Sequence, residues 1–527
     1  MGIEEHQTMP IGPATSLHTE TTEGNLNEGK PSIQHADDAL AFVTDHENVA
    51  WTREEEAKVL RKIDLVILPL LFFGAIIGYS DSQVYGFAAL FGLVQDLKLA
   101  VPKFQDGQVI LDMSRYQFTA AIPTLGAVAG QYPLLLLVQH LHIGRFFGIV
   151  TIFTGVLTLL TITCKDFADI MALRFFTGLS VVTQPLSILV TSMWWKSQEQ
   201  PLRAGVYISG TALGALVGQG VDLGAVNIKG AYAASPWKWI YIILGPITIA
   251  FGFVVVALFP ASPMNAWFLT AREREIAVGR LLQNNTGMKT RKWKWAHLRE
   301  AYLDPQLYVL SIYSFTFAFV NLSIGSFGGF LVTSFGYSSK QSIVLSMPGS
   351  AIAVVCLITS GYLGSRFPTQ RLVIAISYLI PAMVGNILLW KSDRSNKAAL
   401  LGGLYISVMV YGALVQMFAL LASNVAGYSK KTVVNATIFV FANCGAFAGP
   451  WAYKSDEATR GYPTGQITTL SLLCASAAGF VVLRLFYHRE NLKKAQLREA
   501  HPEYITDPSI ALADLTDKEN PIFQYMT

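Results

Sequence analysis

Twelve apolar stretches, each long enough to cross a bilayer, run along this chain, and a basic loop at residues 260–305 parts the sixth from the seventh. A helix needs about 20 apolar residues to cross a hydrocarbon core ~30 Å thick. The spans read as Ile63–Leu90, Tyr116–Val138, Phe146–Thr163, Phe167–Trp194, Ala204–Val226 and Trp237–Phe259 in the first half. In the second half they read as Gln306–Val332, Ile343–Leu363, Arg371–Trp390, Ala399–Ser423, Thr432–Tyr453 and Ile467–Tyr487. Charged residues make up 14% of the chain, against roughly 25% in soluble domains. Such a chain cannot hide its apolar surface from water, whereas lipid solvates it. The expectation is an all-α integral membrane protein whose twelve transmembrane helices form two six-helix bundles.

The reading divides the chain into an N-terminal tail at 1–62, mostly disordered, and a first bundle at 63–259. A linker with an amphipathic helix follows at 260–305, then a second bundle at 306–487 and a tail at 488–527. Placing both termini in the cytoplasm puts 26 of the 39 Lys and Arg residues on that side, as the positive-inside rule requires. No cleavable signal peptide is apparent, so the first span directs insertion. In the linker, Asn265–Gln283 reads as a polar amphipathic helix, and the mixture of cations with Trp293 and Trp295 suits a headgroup layer.

Function follows from polar residues lodged in apolar spans. Arg174 lies inside the fourth span. A cation there costs ~2.5–3.5 kcal/mol on insertion scales, so it should face a polar cavity or a buried acid. Asp81, late in the first span, is its candidate partner and the leading proton-carrying site. Asp222, near the end of the fifth span, reads as hydrated, and Asp64, just after Arg61 and Lys62, as a structural salt bridge or cap. Gln184, Asn321, Gln416 and Asn443 are candidate cavity residues, since amides in lipid require partners. Gly144, Arg145, Gly178 and Arg366 sit in short turns or small-residue steps and read as gating or structural positions. Small residues recur from Ser209 to Gly218 and from Gly445 to Pro450, at equivalent places in the two halves.

Other classes find little support. Net charge is +4, too small to suggest nucleic acid, and Cys164, Cys356, Cys444 and Cys474 show no metal spacing. There is no Gly-rich phosphate loop carrying a Lys, which argues against nucleotide-driven transport. No catalytic cluster points to an enzyme. No cofactor or metal is expected beyond a proton gradient. The expected partners are a small molecule and the bilayer, with the protein acting as a monomer.

Particular stretches sharpen this reading. Arg61-Lys-Ile-Asp-Leu-Val-Ile-Leu-Pro-Leu70, Gly130-Gln-Tyr-Pro133, Leu173-Arg-Phe-Phe-Thr-Gly178, Thr191-Ser-Met-Trp-Trp195 and Phe259-Pro-Ala-Ser-Pro263 occur in the first part. Leu345-Ser-Met-Pro348 and Ser423-Asn-Val-Ala-Gly427 occur in the second. In these the chain resembles the major facilitator superfamily, and within it the anion:cation symporter family, on the fungal branch of allantoate, dipeptide and vitamin permeases. The resemblance implies alternating access, proton-coupled symport and a small, anionic organic solute. It places Arg174 at the family's buried arginine and Asp81 where an acid is often followed by a basic residue; here Ser82 follows. The acid often found shortly after the arginine motif is absent from Leu179–Gln184, and the turn after the second span lacks the usual Asp-Arg pair. The expected protein is a plasma-membrane permease. Proton-antiport efflux of a metabolite is the alternative reading, and a non-transporting nutrient sensor a further one.

Overall fold

A computed structural model describes residues 51–500 and 515–527, except 106–107, 181–182, 197, 226, 229–234, 283–293, 394, 454–456 and 458–460. Helix α1 (Arg53–Ala88) opens the first bundle, ten residues before the hydropathy boundary. Thr52 and Glu55 explain the early start. Each side chain accepts from the other's backbone N–H, at 3.2 and 3.0 Å, and the box satisfies two donors at the helix end.

A two-stranded antiparallel hairpin, β1 (Val101–Gln105) and β2 (Gln108–Asp112), links α1 to α2 (Ser114–His140). It is an addition to the all-helical expectation and lies at one end of the bundle. Then follow α3 (Ile143–Leu160), α4 (Phe167–Leu179), α5 (Thr183–Trp194), α6 (Gln200–Ala225) and α7 (Trp237–Leu258). The linker carries α8 (Ala271–Leu282) and α9 (Trp295–Tyr302). The second bundle has α10 (Pro305–Ser334), α11 (Ser339–Arg366), α12 (Arg371–Lys391), α13 (Lys397–Ser407), α14 (Val410–Asn424), α15 (Tyr428–Ala448) and α16 (Pro463–Ala500). Among the described residues, ten helical segments are by themselves long and apolar enough to cross a membrane. With α2 and the α4–α5 pair they make twelve spans. One end of the molecule carries the linker and the other the hairpin; these are called the linker face and the hairpin face.

The fourth span of each bundle is broken. In the first bundle α4 ends at Leu179, where Ser180 N turns back to Thr177 O at 3.1 Å. Between α13 and α14 the α-helical ladder is interrupted. Tight bonds from Met409 N to Ile406 O (3.1 Å) and from Tyr411 N to Val408 O (3.1 Å) wind the chain into a 3₁₀ step instead.

Helix crossings inside each bundle are very close. A Cβ at Gly178 would collide with the Pro123 carbonyl, and one at Gly144 with that of Phe259. The two small-residue runs fall at equivalent crossings. Gly210 and Gly214 on α6 press on the carbonyls of Phe72 and Ile76 in α1, as Gly445 on α15 and Gly449, just past its end, press on those of Phe315 and Phe319 in α10. In lipid, apolar surface offers little drive for association, so close backbone packing supplies much of it.

The amphipathic helix expected from Asn265 to Gln283 is shorter, because Pro263–Asn265 forms a 3₁₀ turn and the helix starts only at Ala271. It is tied to the first bundle by Lys62–Glu273 (2.7 Å), Arg272–Glu55 (2.9 Å) and the buried Arg280, which contacts Glu56 and Glu199. The second linker helix, α9, packs on α15 instead. Residues 1–50 and the Lys289–Trp293 run lie outside the described residues.

Two outcomes follow. Gly178→Val should destabilise the first bundle by about 1–3 kcal/mol or more, seen as a lower apparent unfolding temperature and a poorer monodisperse yield. Burial raises the Glu273 pKa, but hydrogen bonds from Lys62 and the Thr270 backbone outweigh it and hold the group below its ordinary 4.5. A lowered pKa in the docked state gives a contribution that is complete above 4.5 and lost as pH falls through the docked value. Amide exchange in α8, corrected for intrinsic rates, should stay slow from neutral pH down to that region and accelerate below it; Glu273→Gln should remove the transition.

Candidate solute cavity between the bundles

Between the bundles lies a cavity of about 90 Å³, room for several waters. The first bundle lines it with Gln83 and Phe87 of α1 and Gln219 of α6, and the second with Asn321 of α10, Ser346 and Ser350 of α11, and Tyr411 of α14. Four side chains meet across it. The Tyr79 and Tyr411 hydroxyls both donate to Asn321 Oδ1, at 2.5 and 2.6 Å, and Gln83 Nε2 donates to the Tyr79 oxygen at 3.0 Å. Tyr411 stands on the first turn of α14, just past the α13–α14 break. Ser350 adds a second bridge, donating to Gln219 Oε1 at 3.4 Å.

Contacts between the bundles occur at both faces. Near the linker, Leu202 N donates to Ser365 Oγ at 3.0 Å, and Gly205 packs on Gly361. At the hairpin face, Phe118 meets Phe447 and Trp451 edge to face, and Lys340 Nζ donates to Asn227 at 3.2 Å.

Arg174 sits one layer behind the cavity, inside the first bundle. Its Nε donates to Thr119 O at 2.9 Å, and its guanidinium lies 3.7 Å from the centre of the Tyr85 ring. A cation over an aromatic face in a partly buried site gains ~0.5–2 kcal/mol. Tyr85 stacks on Tyr116 at 5.6 Å, and Tyr116 meets Phe330 of the second bundle edge to face. Asp81 lies one turn before Tyr85 on α1, but its side chain, like that of Gln184, lies outside the described residues.

The other sequence candidates scatter. Asn321 lines the cavity. Gln416 is buried between α14 and α11, donating to the carbonyl and hydroxyl of Ser360 at 2.7 and 2.8 Å. Asn443 donates to Phe439 O within its own helix, at 2.7 Å. Asp64 holds Arg203 through two bonds of 2.8 Å and accepts from Trp195 Nε1 at 2.7 Å, at the linker face. Gly144 and Gly178 are close-packing points, while Arg145 and Arg366 are exposed near the linker face. Asp222 contradicts its reading as a hydrated group. It is fully buried, and among the described residues neither carboxylate oxygen has a hydrogen-bond partner. The cause is register: Gly210, Gly214 and Gly218 pack against α1 at four-residue steps, and Asp222 continues that face. The sequence pass overlooked Tyr79, Gln83, Gln219 and Tyr411, because a tyrosine in an apolar span resembles packing. Their signal was the four-residue spacing of Tyr79 and Gln83 on one helix face.

Two helical bundles closing on a shared, mainly apolar cavity with a cluster of amides and hydroxyls at its wall make the architecture of a polytopic membrane transporter. The profile described as Major Facilitator Superfamily matches residues 71–450, and the chain belongs to that superfamily. An uncharacterized transporter of Schizosaccharomyces pombe is 31% identical over 492 residues, covering 93% of this chain and 89% of the relative. The allantoate permease of Saccharomyces cerevisiae is 25% identical over 502 residues, covering 93% and 90%. A thiamine pathway transporter of the same yeast is 27% identical over 500 residues, covering 94% and 91%. These relatives accord with the fungal permease-like branch. Among solved structures, an inward-facing bacterial homologue of the human lysosomal transporter Spinster superposes with a TM-score of 0.55 at 13% identity, covering 82% of this chain and 98% of that one. At that identity it shows the fold alone. The family and its transporter relatives mark the chain as a transporter and not an enzyme.

Asn321→Ala would remove the acceptor shared by two tyrosine hydroxyls. Leaving polar groups unpaired costs ~1–3 kcal/mol. Lower thermal stability is expected, with Tyr79→Phe milder because Tyr411 keeps its acceptor; unfolding scans of the purified proteins compare them.

Proposed function

We propose that this protein is a secondary transporter of a small organic anion, taken up with protons across the plasma membrane. The observation that carries the transport reading is the cavity lined from both bundles, with the Tyr79–Asn321–Tyr411 bonds spanning the seam. Rocking one bundle against the other must break those bonds, and a solute with hydrogen-bonding groups can replace them. The linker face is assigned to the cytoplasm, in keeping with its excess of Lys and Arg.

The anionic class rests on Arg174 and on kinship with a protein named allantoate permease. The guanidinium is held by a carbonyl and the Tyr85 ring, and Tyr116, stacked on that ring, reaches Phe330 of the second bundle. Two intramembrane acids serve as candidates for coupling, Asp81 and Asp222. An acid in that position is a functional candidate by its expense alone. Asp222 lies on α6, the helix that also lines the cavity and packs against α11 of the other bundle.

Uptake of labelled allantoate and thiamine into proteoliposomes, with and without an imposed pH gradient, tests this reading. Gradient-driven accumulation of the anion is expected. Arg174→Ala should reduce anion uptake by ~10-fold or more, and Asp222→Asn should leave exchange while weakening accumulation. Normal anion uptake by a correctly inserted Arg174→Ala variant would remove Arg174 from the mechanism. Accumulation that ignores the gradient would end the proton proposal.

A further inference from the structure

Residues 515–527 fold back onto the linker face of the second bundle. They occupy a groove walled by α9, the start of α10, the turn between α14 and α15, and the end of α16. At its floor is Lys430, completely buried, with the carboxylates of Asp304 and Asp517 each 2.7 Å from its ammonium and that of Glu300 at 2.9 Å. Asp304 and Asp517 are as buried as the lysine. Gln306 Nε2 donates to both carboxylates, at 2.7 and 3.2 Å, and the Tyr525 hydroxyl donates to Asp517 at 2.7 Å.

The rest of the segment is held like a bound peptide. Asn424 makes paired bonds to the Met526 backbone at 2.7 and 2.9 Å. Asn491 does the same to Tyr525 at 2.8 and 2.9 Å. Lys494 donates to the carbonyls of Asp517 and Asn520. The Thr516 hydroxyl donates to Glu300 at 2.9 Å, and the Tyr525 ring stacks on Tyr487 at 5.1 Å. Side-chain amides reading a backbone in pairs, with aromatic rings in pockets, make a recognition surface rather than incidental packing.

What the groove touches gives it a role. Val425–Gly427 is the turn from α14 to α15, and Ala426 N donates to Asp517 at 3.3 Å. Both helices touch α5 of the first bundle, and α14 also touches α6, beside the broader α6–α11 contact that brings Leu202 to Ser365. Glu300 lies on α9, the linker helix that packs on α15. A seated segment therefore ties the linker and the α14–α15 jaw into one body.

We propose that residues 515–527 are a detachable strap, seated in a peptide-binding groove of the second bundle, that holds the linker-side gate closed. The gating half of this proposal rests on the alternating-access reading; the seating of the strap does not. Three forms of the chain test it in lipid nanodiscs: residues 1–527, a chain ending at Asp514, and Asp517→Asn. Amide exchange is followed by mass spectrometry. The shortened chain should exchange at least ~10-fold faster at residues 295–304 and 424–431, with α8 unchanged. Asp517→Asn, which keeps the shape and loses the charge, should give a smaller rise at the same places. A synthetic peptide of residues 515–527 added to the shortened chain should restore protection saturably. The gate is read separately, with a cysteine pair at Leu202 and Ser365: oxidative cross-linking should fall when the strap is removed and recover with the peptide. Exchange of residues 515–527 in the unshortened chain as fast as in the free peptide would overturn the strap. So would unchanged protection in the shortened chain, or no rescue in trans. Normal exchange effects with unaltered cross-linking would refute the gate alone.

Discussion

The structure depends on backbone-to-backbone contact between helices. Hydrocarbon offers a helix pair little hydrophobic gain, so association draws on dispersion forces and on the hydrogen bonds that closeness permits. Glycine provides both. At the α1–α6 and α10–α15 crossings, a carbonyl of one helix occupies the space where a Cβ of the other would stand. Ser80 then bonds the Gly214 carbonyl across the gap at 2.8 Å. The same arrangement in both halves gives each bundle a rigid interior.

Against that rigidity, the seam between the bundles is softer. Its centre holds amides and hydroxyls that can exchange one another, water or a solute as partners. Tyr79, Asn321 and Tyr411 belong to three helices from two bundles, and no covalent segment restrains their separation except the linker. The linker in turn is divided in allegiance, with α8 on the first bundle and α9 on the second.

Charge is distributed to match. Lys62, Lys196, Arg203 and Arg280 pair with acids at the linker face of the first bundle, and Lys430 does so in the second. Exposed pairs of this kind are worth ~0.2–1 kcal/mol each. The buried ones are costly to separate, since a lone ion in a dry site lacks solvation. They fix which segment sits on which bundle more than they stabilise the whole.

The sequence by itself determined the twelve spans, their grouping in sixes and the likeness to a permease family. Span length and apolarity answer to the thickness of a bilayer, a quantity outside the protein. It also marked Asp64 as a structural salt bridge or cap, although its partner proves to be Arg203, which only folding brings near. Only the tertiary structure decided which polar residues share the cavity. Gln416 and Asn443 have the same chemistry as Asn321, yet helix rotation turns one into its own bundle and satisfies the other within its own helix. Asp222 was misread for the same reason: its distance from the span end is legible in the chain, but the glycine register that drives it into α1 is not. The seat of residues 515–527 likewise appeared only in three dimensions, since Asp304, Lys430 and Asp517 are far apart along the chain and meet through folding alone.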